Sequence, residues 1–416
     1  MIEWKISDLD IESTEKILLP EGAHFPEDAR NVIRCWHSTD VAACPGSGKT
    51  TVLLAKLKLL ADRMPFVNGT GICVLSHTNV AVNEIKKRLS GCADKLLSYP
   101  NFIGTIQSFV DKFVTMPYLR NFAGRNVQAV DNLTYAQHML NRMQNNPNYK
   151  SLNWVTKNSF ETGKQFSDRL DHTQALYIRD DGALCLGKLK KALAGANKPS
   201  AKQYNALIED LLKNEGIMRY KDAYSYANEA INDLPQAYTD LFSSRFQYVF
   251  IDEYQDCDDV QRRAIETIFN STKCTVIKIG DSDQAIYNSS EAETPAWVPQ
   301  DGFLPIMTSC RYSQEIANVI FKLKKDQQNI TTFAGKTGIK PILLVFNPDQ
   351  TNKVIGEFIN VLDTHGLYDN KGIYKAIGAI RKKDSSGLKI GSYWAEFDSS
   401  VKKQSDYNYW VLIDDI

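Results

Sequence analysis

ACPGSGKT at Ala43–Thr50 and, about two hundred residues later, YVFIDEYQD at Tyr248–Asp256 are the two stretches that decide the fold. The first is a glycine turn whose backbone N–H groups can face oxygen anions, with a helix start directly behind it adding its positive dipole end. Lys49 in that turn suits the β- and γ-phosphates of a nucleotide, and the Thr50 hydroxyl suits Mg²⁺. The second is an apolar run closing on two carboxylates, of which Asp252 is placed to hold the same ion from a strand end. Ala43 stands where the usual pattern has glycine, so context has to carry the reading. Asp40–Ala43 reads as a short strand, and Thr51–Met64 as a helix with Leu53, Leu54, Leu57, Leu60 and Ala61 on one face. Tyr248–Ile251 has the unbroken apolar character of a parallel strand buried on both faces. Two carboxylates at its end would be costly in a core without partners. An α/β fold of the RecA-like P-loop kind, binding a nucleoside triphosphate with Mg²⁺, follows.

The bulk of the chain bounds the rest. At 416 residues, 43% hydrophobic and 24% charged, it has a globular composition and is too long for one ordinary core. No apolar run approaches the length of a membrane span. The start, MIEWKISDLDIEST, is too acidic and polar for a secretory leader. Eight cysteines are scattered with no Cys-x-x-Cys pair, which predicts neither a zinc site nor a disulfide framework, and hence a cytoplasmic protein. A net charge of zero gives no support for nucleic acid, so that case rests on motifs.

Further blocks continue the series. GICVL at Gly71–Leu75 reads as a strand, leading into Ser76-His77-Thr78-Asn79 and a helix with Ala81, Ile85 and Leu89 inward. NFIGTIQSF occupies Asn101–Phe109, TVIKIGDSDQAIY occupies Thr275–Tyr287, and MTSCRYSQEI occupies Met307–Ile316. Any one of these could be an ordinary strand–loop–helix unit. In this order and spacing, from about residue 25 to 320, they resemble the superfamily 1A helicases of the UvrD/Rep type.

That resemblance implies a set of roles. Ala43, Cys44, Pro45, Gly46, Ser47, Gly48, Lys49, Thr50 and Thr51 form the nucleotide loop, with ATP as the nucleotide. Thr50 and Asp252 hold Mg²⁺. Glu253 orients and deprotonates the attacking water, Gln284 senses the γ-phosphate, and Arg311 reaches it as an arginine finger. These are the positions and charges that phosphoryl transfer needs. Thr78, Asn79, Thr105, Ser108 and Tyr287 fall where the family contacts single-stranded DNA, and small hydroxyl and amide groups suit phosphate contacts.

Departures from the family matter for mechanism. Ala29, in FPEDAR at Phe25–Arg30, stands about where a glutamine reads adenine. Cys310 replaces the tyrosine that would stack on that base. His77 replaces a phenylalanine, and Asn288–Ala292 lacks the aromatic that stacks on DNA, so two platforms worth about 1–3 kcal/mol each are missing. The family's last two motifs are not found before Ile416. Ile342–Phe346, the helix after it and Tyr374–Arg381 look like the opening of a second RecA-like domain. The expectation is therefore a truncated or split gene product that binds nucleotide and turns it over poorly alone.

The expected organisation is a RecA-like domain from residues 1–112 and 245–310, a mainly helical insertion at 113–244, and an incomplete second domain at 311–416. Within the insertion, periodicity around Leu207–Leu212 and a tyrosine-rich stretch near Tyr220–Tyr226 predict helices. Gly187–Lys202 carries Lys188, Lys190, Lys191, Lys198 and Lys202 without an acid, a solvated stretch or one that meets DNA phosphates. Two functions compete. One is an ATPase moving on single-stranded DNA. The other is a nucleotide- or DNA-sensing subunit that governs a partner nuclease, since the motif wording is also similar to UvrD-like components found beside such nucleases in Gabija-type phage defence.

Overall fold

A computed structural model of the protein describes residues 5–122, 124, 126–162, 168–187, 191–233, 236–269, 274–285, 297–324, 329–333, 338–369, 373–377 and 388–394. Chain contacts divide into two compact units, one of Met1–Arg311 with Gln328–Phe333 and the other of Tyr312–Gln327 with Ala334–Ile416.

The first unit is built on a six-stranded sheet of β1 (Thr39–Ala43), β2 (Gly71–Ser76), β3 (Phe102–Thr105), β4 (Phe246–Ile251), β5 (Thr275–Gly280) and β6 (Leu304–Ile306). Its order is β6-β1-β5-β4-β2-β3, and every pairing is parallel. The two faces of β4 show why its sequence is apolar without a break from Tyr248 to Ile251. Tyr248 and Phe250 join a cluster with Ile277, Ile279 and Leu53 on one side. Val249 and Ile251 join Phe109, Ile265 and Tyr254 on the other. A strand covered on both faces has no polar position to offer.

Three helices line the first of those faces, α1 (Asp8–Leu18), α2 (Glu27–Arg34) and α3 (Lys49–Ala61). α3 begins at Lys49, two residues before the expected start, because Gly48 caps it in the left-handed conformation. It is buried on almost every side from Val52 to Ala61 rather than along one stripe, since α1 and α2 pack over it. Among its buried residues is Lys56. Its ammonium donates to the carbonyls of Val32 (2.9 Å) and Ile33 (3.3 Å) and to that of Cys35, and it lies 4.0 Å from the Trp36 ring centroid. It thus closes the end of α2 just ahead of β1. Burial pushes this ammonium down to about 7.

Residues 113–244 are mainly helical as expected, with helices at Asn132–Asn145, Lys150–Thr162, Pro199–Asp210 and Tyr220–Asp233. They also hold a small antiparallel sheet of Leu176–Ile178, Leu184–Leu186 and Lys191–Ala194, which the sequence reading missed. Tyr135, Met139, Leu184, Tyr204 and Leu207 fill their core.

In the second unit, Gln314–Leu323 and Val354–Thr364 are helical. Ile342–Phe346, expected to belong to the opening of a second domain, has no ladder partner among the described residues. Leu343 and Val345 are exposed (86% and 87%), while Ile342 and Leu344 face an apolar groove with Val319 and Phe358. Of the Tyr374–Arg381 reading, residues 378–381 lie outside the described residues.

Candidate functional site

Because all six strands run the same way and end in register, their carboxyl ends lie along one edge. Ala42 pairs with Gly280, Ile251 with Lys278 and with Leu75, Ser76 with Thr105, and Ala43 with Ile306. Each motif block begins where one of these strands stops. In open α/β sheets ligands bind at this edge, so parallel pairing alone gathers segments more than two hundred residues apart.

The loop after β1 is a phosphate cradle. Gly46 and Gly48 have φ of 75° and 82°, a region that other residues enter only at a cost. Gly48 leads into the thirteen-residue helix α3 with no side-chain cap, leaving the helix N–H groups for a ligand. Ser47 is buried, and among the described residues its hydroxyl has no hydrogen-bond partner. A buried hydroxyl left in this way costs about 1–3 kcal/mol, and a phosphate oxygen would satisfy it. The cradle is held from two sides: Cys44 N donates to Ile306 O at 2.9 Å, and Cys310 N donates to Gly46 O at 3.0 Å. Asp28 fixes the second of these supports, its Oδ2 accepting from the backbone N–H of Met307 and Thr308, both at 2.8 Å.

Opposite the cradle stands the acidic pair. Asp252 is nearly enclosed and accepts at Oδ1 from Glu253 N at 3.0 Å. Glu253 has φ 52° and ψ 43°, the one left-handed residue other than glycine among those described. Such strain is held only where the surroundings enforce it, and here it turns the carboxylate back toward the cradle. Lys49 Nζ meets Glu253 Oε2 at 2.7 Å. Burial, and after it the charge of Glu253, push Asp252 up to about 6, with Lys49 opposing. For Glu253, burial acts upward, but the charge of Lys49, hydrogen bonds from Gln255 and Lys49 and the nearness of His77 outweigh it, so its carboxyl sits below the usual glutamate range. Thr50 is half-buried at the start of α3. The donor set fits a triphosphate with a magnesium ion. It combines a glycine cradle, an unsatisfied buried hydroxyl, a lysine, a threonine hydroxyl and a buried carboxylate with one backbone bond.

The acidic pair connects to the loop after β5 through a chain of hydrogen bonds. Gln255 Nε2 donates to Glu253 Oε2 at 2.7 Å, and Gln255 Oε1 accepts from Asp281 N at 3.0 Å. Gln284 Nε2 then donates to Asp281 Oδ2 at 2.5 Å. The structure therefore joins Lys49, Glu253 and Gln284 through Gln255 and Asp281, two residues the sequence reading quoted within motifs but gave no role. Gly280 makes this possible. A Cβ there would lie 2.6 Å from Gln255 Oε1 and 2.6 Å from the Trp297 ring.

The remaining expected site residues fall as follows. Thr51 faces away from the cradle in one respect, its hydroxyl accepting from Arg88 at 3.2 Å. Arg311 is exposed, its backbone N donating to Ser309 Oγ at 3.3 Å, and among the described residues no acid pairs with its guanidinium. Thr78, Asn79, Thr105 and Ser108 sit at the ends of the neighbouring strands β2 and β3 and are half-buried or exposed. Thr105 caps the helix after it by accepting from Ser108 N at 3.0 Å, so its hydroxyl also has a structural task. His77, in place of the family's phenylalanine, has Nε2 2.6 Å from the Asp256 carbonyl oxygen, which ties the β2 loop to the β4 loop. Ala29 is fully buried in α2. Tyr287 and Asn288–Ala292 lie outside the described residues.

Comparison with known proteins agrees with this geometry. A family model described as the UvrD/REP helicase N-terminal domain matches residues 27–297. The Gabija protein GajB of Bacillus cereus (strain VD045) is 24% identical over 329 residues, covering 74% of this chain and 53% of that protein. A probable DNA helicase II homolog of Rickettsia felis is 23% identical over 377 residues, 89% of this chain and 48% of that protein. The ATP-dependent DNA helicase PcrA of Staphylococcus aureus is 23% identical over 247 residues, 59% of this chain and 31% of that protein. The chain thus spans about half the length, or less, of these relatives.

Proposed function

The chain belongs to the UvrD/REP helicase family, and on that premise we propose that it is a DNA-dependent ATPase whose turnover is coupled to movement along single-stranded DNA. The observation that carries this reading is the unbroken contact from Lys49 through Glu253, Gln255 and Asp281 to Gln284. It links the phosphate cradle to a motif loop on the same sheet edge as Thr78, Asn79, Thr105 and Ser108.

In this reading the Lys49 ammonium leaves Glu253 for the β- and γ-phosphates of ATP. Glu253, freed of its partner, accepts a proton from the attacking water. Thr50 and Asp252 hold Mg²⁺, which supplies charge neutralisation to the phosphates. Arg311, exposed and without an acidic partner among the described residues, adds positive charge to the transferring group. Gln284 reports the state of Glu253 to the strand. In the same reading, residues 1–112 and 245–310 form the nucleotide-binding domain and 113–244 its insertion.

A second reading is favoured by the match to GajB over 74% of the chain: a nucleotide- or DNA-sensing subunit that regulates a partner nuclease in phage defence. The replacement of adenine-side residues by Ala29 and Cys310 leans the same way. Phosphate release with and without oligo(dT), run beside a strand-displacement assay, separates the two. Stimulation above about tenfold with displacement supports the motor. Tight nucleotide binding with no turnover under any DNA refutes it for this chain.

A further inference from the structure

We propose that a cleft on the 113–244 segment, remote in sequence from the cradle, holds one nucleotide unit of a single-stranded nucleic acid, with the base on Trp154 and the phosphate on Lys150, Lys198 and Ser200. The cleft has a volume of about 610 Å³. One wall is the first turns of the helix Lys150–Thr162, and the other is the loop joining the strand Lys191–Ala194 to the helix Pro199–Asp210.

Four features point to this ligand. Trp154 lines the cleft and is 68% exposed, so a large flat apolar ring stands in water ready to stack. Lys150 and Lys198 also line it, neither has an acidic partner among the described residues, and no Asp or Glu is in the lining. The helix from Pro199 starts without a side-chain cap, so its positive end joins the two ammonium groups. Ser200 in that first turn is only 3% exposed and lines the cleft. Its hydroxyl is of the kind that contacts a phosphate oxygen.

A base can lie flat on Trp154 only when it is unstacked from its own neighbours, which selects single strands over duplex. The cleft is open to solvent, so a strand can continue past it, toward exposed Lys202 one turn on. Lys198 and Lys202 belong to the acid-free lysine stretch noted in the sequence, of which Lys188 and Lys190 lie outside the described residues. None of these residues belongs to the cradle or to the sheet edge, and the inference does not rest on ATP turnover.

The test is photocrosslinking of the whole chain, without nucleotide, to oligo(dT) carrying 5-iododeoxyuridine, with the crosslinked peptides mapped by mass spectrometry. The expected result is a crosslink at Trp154. Trp154→Ala should weaken oligo(dT) binding by about fivefold to a hundredfold in fluorescence anisotropy, and Trp154→Phe should restore most of it. Lys150→Ala with Lys198→Ala should lower the slope of log affinity against log salt by about 1–2. Crosslinks confined to residues 76–108, with binding unchanged in Trp154→Ala, would overturn the cleft and leave the sheet-edge contacts standing. Displacement of the Trp154 crosslink by millimolar dTMP as readily as by oligo(dT) would also overturn it, in favour of a mononucleotide site.

Discussion

Gly280→Ala should separate nucleotide binding from its coupling to DNA. The added Cβ would sit 2.6 Å from Gln255 Oε1 and 2.6 Å from Trp297 Cζ3, against a comfortable carbon–carbon separation of about 3.5–4.0 Å. Roughly 1 Å must be found. Trp297 is buried and packs edge-on to Tyr254, with ring centroids 5.6 Å apart, so moving it is an overpacking cost of about 1–3 kcal/mol. If Gln255 moves instead, it loses bonds to the charged Glu253 and to Asp281 N. A hydrogen bond to a charged group contributes about 1.5–3 kcal/mol and a neutral one about 1. With some movement of both, the loss is about 3–5 kcal/mol. The first unit runs from Met1 to Arg311 with a short addition. At about 2.1 cal/mol/K per residue over roughly 310 residues, that lowers its melting midpoint by about 5–8 °C. Scanning calorimetry reads that shift. Equilibrium binding of a fluorescent ATP analogue below the transition should stay within about tenfold of wild type, because the cradle is untouched. Phosphate release should lose its response to oligo(dT). A variant with an unchanged midpoint and full DNA stimulation would refute the claim that Gln255 and Asp281 carry the coupling.

Other substitutions test the remaining roles. Glu253→Gln should retain ATP binding and lower turnover by about 10²–10⁴-fold, the usual contribution of a general base; unchanged phosphate release would remove Glu253 from that role. Arg311→Ala should cut turnover by about 10³-fold or more while shifting stability by no more than about 0.5 kcal/mol, since the side chain is exposed; an equal loss of nucleotide binding would argue against a role confined to the transition state. For Asp252, the folded pKa is raised from 3.8 to about 6, so the folded state binds the extra proton between those values. Stability is therefore lost as pH rises from about 4 to 6, and the penalty is fully present above 6. Asp252→Asn should accordingly stabilise the nucleotide-free protein at pH 7.5, with a gain that shrinks as pH falls toward 4, while Mg²⁺-dependent binding disappears. A gain independent of pH in urea denaturation would contradict the assigned burial cost.

Lys49 and Glu253 are joined across a sequence separation of 204 residues. In the absence of ligand their pairing satisfies both charges, which explains how a partly buried lysine and a strained glutamate coexist stably.

Much of this was legible in the chain. ACPGSGKT and the apolar run into Asp252-Glu253 fixed a P-loop α/β domain, because glycine turns and two-sided strands leave unmistakable local patterns. Roles for Lys49 and Thr50 followed from the turn itself, and that of Glu253 came from motif resemblance. Ile342–Phe346 shows the limit of local reading: an apolar run is local, but a strand exists only with a neighbour to bond. Gln255 passed without a role because nothing local marks a glutamine that bridges two strand ends. His77 read as a lost aromatic platform, whereas its ring nitrogen is spent on the Asp256 carbonyl.

By itself, then, the sequence determined the chemistry available: the cradle, the carboxylates, the strands that carry them and the family they resemble. Tertiary structure decided which of those groups meet. The order β6-β1-β5-β4-β2-β3 brings Gly280 beside Gln255 and Cys310 onto Gly46. Contacts of that kind depend on which strands become neighbours, a property of the whole sheet that no single stretch of chain encodes.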